Sequence, residues 1–103
     1  MKYIFNRCDY RPLKDGETYQ NKFVILSLDV FDPKYQDAKY QLFYARCGFG
    51  CDPNKMGGKV FGRIFDENIQ TRREYILGVA TEEAIAEWEK VYGISRDVFT
   101  KGE

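Results

Sequence analysis

Histidine is absent from the 103 residues, which removes the commonest general base at neutral pH and the commonest metal ligand. A Cys–His or Ser–His nucleophile therefore cannot be assembled within one chain. Cysteine is scarce, with three residues, an odd number that cannot close into a self-contained disulfide framework. The spacing Cys47-x-x-x-Cys51 fits neither a zinc knuckle nor a thioredoxin-type redox pair, both of which place two residues between the sulfurs. Even with Cys8, a metal site would have three sulfurs and need completion from elsewhere. The expectation is small thiols flanking a turn, with no metal and no cofactor.

Net charge is also lacking, since sixteen basic residues balance sixteen acidic ones. Such a chain has no global field to draw it onto nucleic acid or an anionic membrane. No apolar run approaches the roughly 20 residues of a membrane helix, and Met1–Arg7 has no secretory apolar core. These features lead us to expect a cytoplasmic protein that makes no membrane contact.

Aromatic residues, by contrast, are abundant: eight Tyr, eight Phe and one Trp. Each ring can bury roughly 150–250 Å², so a short chain gains a core from few residues. The length suits one domain spanning 1–103, with 94–103 expected to fray.

Lys2–Asn6 reads as a short strand, and Cys8–Asn21, with Pro12 and Asp15-Gly16, as a loop. Phe23–Val30 is an apolar, β-branched run that stops at Asp32-Pro33, which favours a buried strand. Tyr40–Arg46 alternates with period two. Val60–Phe65 and Gln70–Leu77 form a predicted hairpin about Asp66–Asn68. Thr81 offers an N-cap, Glu82 and Glu83 suit the first turn, and Gly93 sits at a C′ position. Between them Ala84, Ile85, Trp88, Val91 and Tyr92 make one apolar stripe. The fold class is α+β: a bent antiparallel sheet of four or five strands with one C-terminal amphipathic helix packed on it.

The segment Cys47–Gly58 contains Gly48, Gly50, Gly57 and Gly58, yet it is no known phosphate cradle. A P-loop ending at Gly58-Lys59 would need glycine where Pro53 stands and a hydroxyl where Val60 stands, and the dinucleotide pattern also fails at Pro53. An unconventional anion nest near Lys55 and Lys59 stays open. Phe49, between two glycines, either plugs the loop or is presented as an anchor.

Phe23–Ser27, Tyr40–Leu42, Gly48-Phe49-Gly50-Cys51, Gly58-x-Val60-Phe61 and Arg73 followed by Ile76-x-Gly78 occur in this order. Over residues 23–80 the series resembles small uncharacterised proteins, and domains of large polyvalent proteins, carried by plasmids, conjugative elements and prophages of gut Firmicutes. Cys47 and Tyr75 stand where that group carries a glycine and an aspartate. The resemblance implies a setting of mobile DNA in a bacterial cell, where small binding domains block host immune proteins.

The expected function is therefore non-enzymatic binding, with no catalytic residue: an anti-defence inhibitor that occludes a host or element-encoded protein. Its expected contact residues are Phe49, Lys55, Met56, Lys59, Arg63, Arg72 and Arg73. The alternative is a nucleic-acid or nucleotide-binding module, with Tyr44, Phe61 and Tyr75 turned outward beside Arg63, Arg72 and Arg73.

Overall fold

The computed structural model describes residues 5–27, 33–52, 54–55 and 58–101. Six strands make one sheet: β1 (Tyr10–Arg11), β2 (Lys22–Leu26), β3 (Leu42–Cys47), β4 (Lys59–Ile64), β5 (Glu67–Arg72) and β6 (Ile76–Ala80). Their order is β1-β6-β2-β3-β4-β5, and every neighbouring pair is antiparallel. Two helices follow, α1 (Glu82–Tyr92) and α2 (Asp97–Thr100). The α+β class is as expected from the sequence, but the sheet has six strands rather than four or five.

Period-two alternation sorts the side chains onto two faces. Val24, Leu26, Phe43, Ala45, Val60 and Ile64 are buried together on one face, under Cys51 and the rings of Tyr19, Tyr35, Tyr40 and Tyr75. Ile25 and Leu42 belong to the other face, where Ala84, Ile85 and Trp88 of α1 and Phe99 of α2 cover them. The helical layer lies on the β2–β3 side of the sheet. Beyond it, on β4 and β5, Lys59, Phe61, Asn68, Gln70 and Arg72 are exposed.

Helix α1 begins where its cap chemistry places it. The Thr81 hydroxyl accepts the Ala84 N–H at 3.1 Å, and Gly93 closes the last turn at φ 66. Trp88 is completely buried, whereas Val91, part of the predicted stripe, is exposed. The helix therefore docks on a narrower apolar face than the sequence pattern implies.

Several boundaries differ from expectation for nonlocal reasons. β1 falls inside the stretch read as a loop and exists because Tyr10 and Arg11 pair with Ala80 and Val79. The predicted strand Gln70–Leu77 is two strands, separated by a 3₁₀ turn at Arg73–Tyr75. The β4–β5 hairpin turns on two residues, Phe65 and Asp66. Phe65 has φ 56, a conformation an aromatic residue seldom adopts. Its ring lies 5.4 Å from Tyr40, 5.7 Å from Trp88 and 5.8 Å from Phe99, so core contacts hold it there. Most of the predicted Lys2–Asn6 strand lies outside the described residues. Of its remainder, Phe5 is buried and Asn6 caps a 3₁₀ turn at Arg7–Asp9.

The tail is not frayed over residues 94–101. Phe99 is fully buried, with its ring 5.4 Å from both Phe23 and Trp88. Arg96 ties the segment to α1 through Glu82 at 2.5 Å and Glu89 at 2.9 Å. Arg63 adds a bond to the Lys101 carbonyl at 2.5 Å. Sequence reading missed these contacts because each involves residues far apart in the chain or a short apolar remnant.

Candidate partner-binding surface

The loop after β3 is shaped by its own backbone. The Cys51 N–H donates to the Gly48 carbonyl at 3.1 Å, and the Asp52 N–H to the Phe49 carbonyl at 3.2 Å. Farther along, the Lys55 N–H donates to the Asp52 carbonyl at 3.1 Å, and the Asn54 N–H to Asp52 Oδ1 at 2.9 Å. These N–H groups are used inside the loop, which leaves them unavailable to the anion nest that the sequence left open. Two outside elements brace the loop. Tyr19 N–H reaches the Cys51 carbonyl at 2.8 Å, and Arg73 Nη1 reaches the Asp52 carbonyl at 2.9 Å.

Glycine is required at two points of this turn. Gly48 has φ 116, and a Cβ there would stand 2.5 Å from the Lys59 carbonyl oxygen. A Cβ on Gly50 would stand 2.6 Å from Val60 Cγ2 and 2.8 Å from the Gly58 carbonyl oxygen. Such distances exclude any larger residue without movement of the loop. The loop thus lies tightly against the start of β4.

Phe49 sits between these two contacts and is 66% exposed, although Gly50 and Cys51 beside it are buried. The ring is presented outward; it does not plug the loop. Phe61, 43% exposed, is the second large ring at this end of the sheet. A Cβ on Gly48 would lie 3.2 Å from Phe61 Cδ2, so the backbone next to Phe49 rests against Phe61.

The predicted cations divide into two groups. Lys55 and Lys59 are exposed, and so is Arg72, which pairs with Lys59 in register and holds Glu74 at 2.6 Å. Arg63 and Arg73 are half-buried and bonded to backbone carbonyls. Arg63 Nε is buried with no hydrogen-bond partner among the described residues. These two arginines act as structural braces, because Arg63 Nη1 and Nη2 and Arg73 Nη1 donate to backbone carbonyls. Met56 lies outside the described residues.

Tyr44 and Tyr75 do not turn outward as the nucleic-acid alternative requires. Tyr44 is half-buried with its ring 4.9 Å from Phe23, and Tyr75 packs against the core under the opposite face. Of that trio only Phe61 is exposed.

Sequence reasoning also missed an open cleft of about 490 Å³ lined by Gln20, Asn21, Arg46, Cys47, Phe61 and Asn68, among others. It forms beside the irregularity between Ala45 and Cys47, where the β3–β4 register shifts. Such bulges re-aim side chains at sheet edges, and nothing in the local sequence marks this one.

The thiols occupy contrasting environments. Cys47 and Cys8 are exposed, while Cys51 is buried. Burial pushes the Cys51 thiol up to about 11, with a further contribution from nearby Cys47, so it stays protonated and unreactive at neutral pH. Among the described residues, no group of three His, Cys, Asp or Glu side chains could hold a metal ion. No helix among them is long and apolar enough to cross a membrane. No protein-family model matches the chain, and neither a curated protein nor a solved structure shows significant similarity to it.

Proposed function

We propose that this chain is a non-enzymatic binding domain that acts by occluding a protein partner, with Phe49 as its anchor. The observation that carries this reading is the 66% exposure of Phe49 on a loop fixed by bonds from Tyr19 and Arg73. An aromatic carried on a braced backbone spares the loop's ordering cost on binding, and central aromatic anchors dominate interface energetics. Phe61 widens the apolar centre, and Lys55 and Lys59 supply a basic rim suited to an acidic partner surface, beside the Arg72–Glu74 pair. In the mobile-element setting implied by the sequence resemblance, the partner is a host defence protein.

The nucleic-acid reading is weaker because a stacking platform reduced to Phe61 offers one base-sized contact. The test is capture of partners from a host lysate, with and without nuclease, by the native protein and by Phe49→Ala. A protein retained after nuclease by the native chain, and lost with a folded Phe49→Ala, supports occlusion. Recovery of nucleic acid with steep salt dependence, unaffected by Phe49→Ala, supports the alternative.

A further inference from the structure

The two edges of the sheet are unlike. β1 is two residues long, a short edge of the kind that discourages further pairing. β5 is six residues long, and its sequence Glu67-Asn68-Ile69-Gln70-Thr71-Arg72 has no proline, no lysine and no bulge in its register with β4. Its charges stand at its two ends.

The register fixes which backbone groups face outward. Ile64 and Glu67 close the Phe65–Asp66 turn as a hydrogen-bonded pair. Alternation then assigns the bonds to β4 to Glu67, Ile69 and Thr71. Asn68, Gln70 and Arg72 point their N–H and C=O groups away from β4, and all three residues are exposed. Among the described residues no sheet partner lies beyond β5, so the outward groups of Asn68 and Gln70 and the Arg72 N–H meet no neighbouring strand, while the Arg72 carbonyl caps the 3₁₀ turn at Arg73–Tyr75.

We infer that β5 pairs antiparallel with β5 of a second copy of this chain, about a two-fold axis centred on Gln70. The outward set is symmetric about that residue, so this register brings each outward residue of the strand opposite another one. Asn68 meets Arg72 of the second copy, and Gln70 meets Gln70. On the opposite face Ile69 meets Thr71. The only charged side chain among these pairs, Arg72, faces a neutral amide that can accept from it, so like charges never oppose each other. The chain carries no net charge, and two copies therefore have no overall repulsion to overcome. The product is one continuous sheet with two Phe61 rings on its open face. This inference is independent of the occlusion reading.

Sedimentation equilibrium from about 10 µM to about 1 mM tests it, since mass action must shift the average mass across that range. The expected result is a rise from one chain mass to two. Amide exchange at Asn68, Gln70 and Arg72 should slow with concentration over the same range. Gln70→Pro should stay monomeric, because its lost N–H does not serve the β4 ladder. Asn68→Glu should tighten association and Asn68→Arg should weaken it, each by roughly fivefold. The charge pair decides the matter if Gln70→Pro proves unfolded. A single-chain mass up to about 1 mM would overturn the inference, as would association indifferent to both Asn68 substitutions.

Discussion

The Trp88 indole N–H donates to the Lys39 carbonyl at 3.0 Å, across 49 residues of sequence. The bond joins α1 to the 3₁₀ turn at Ala38–Gln41, which leads into β3. The ring itself is fully buried, with neighbours Phe65, Tyr92 and Phe99 at 5.4 to 5.7 Å. Trp88→Ala should therefore cost about 3–5 kcal/mol in chemical denaturation. Trp88→Phe keeps much of the packing but leaves a carbonyl unpaired, for about 1–3 kcal/mol. A loss below about 1 kcal/mol for the alanine variant would show that the helix face does not anchor the fold.

Gly50→Ala is expected to displace the loop and leave the sheet intact. The added Cβ conflicts with Val60 Cγ2 and the Gly58 carbonyl, and overpacking of this kind costs about 1–3 kcal/mol. The Tyr19 amide, bonded to the Cys51 carbonyl at 2.8 Å, should lose hydrogen-exchange protection while β2–β3 amides keep theirs. Unchanged Tyr19 protection would mean that the loop tolerates the methyl group.

Acid should release α2 before it melts the sheet. Arg96 holds the Glu89 carboxyl below its ordinary range, mainly through its guanidinium and secondarily through its backbone N–H at 2.7 Å. A carboxyl lowered in the folded state binds fewer protons than it does unfolded. Its stabilisation is thus present above the unfolded value of about 4.3 and is lost as pH falls through the lower folded value. Amide exchange at Phe99 should accelerate selectively in that window, and Arg96→Ala should produce the same loosening at neutral pH. The Arg11–Glu17 turn should outlast it to near pH 2, because Arg11 lowers Glu17 to about 2. Uniform exchange across the chain at every pH would contradict this order.

The bounds of helix α1 were legible in the sequence because their signals are local, Thr81, the glutamates of the first turn and Gly93, whereas the stripe overstated the docked face by including Val91. β2, β3 and β4 were legible for the same reason, as alternation and β-branching are written residue by residue. β1 was not, since two residues become a strand only by meeting Val79 and Ala80. Nor was the break at Arg73–Tyr75, where Arg73 N–H is drawn to the Gly58 carbonyl at 2.5 Å. The folded tail depends on Arg96 finding Glu82 and Glu89, a pairing that composition alone does not specify. At the candidate surface, the glycines marked Phe49 as special. Its outward direction follows from how Gly48 and Gly50 approach Lys59, Val60 and Gly58, which is a tertiary fact.

Occlusion by this surface depends first on Phe49. Once a nuclease-resistant protein partner is isolated, its affinity for the native chain and for Phe49→Ala can be compared by calorimetry. The exposed ring contributes little to the core, so the variant should melt at the native temperature. Truncating a central aromatic anchor costs about 2 kcal/mol or more, which is a loss of roughly thirtyfold in Kd. At least that loss is expected, with the fold unchanged. An affinity equal to that of the native chain would contradict it and move the binding surface elsewhere on the molecule.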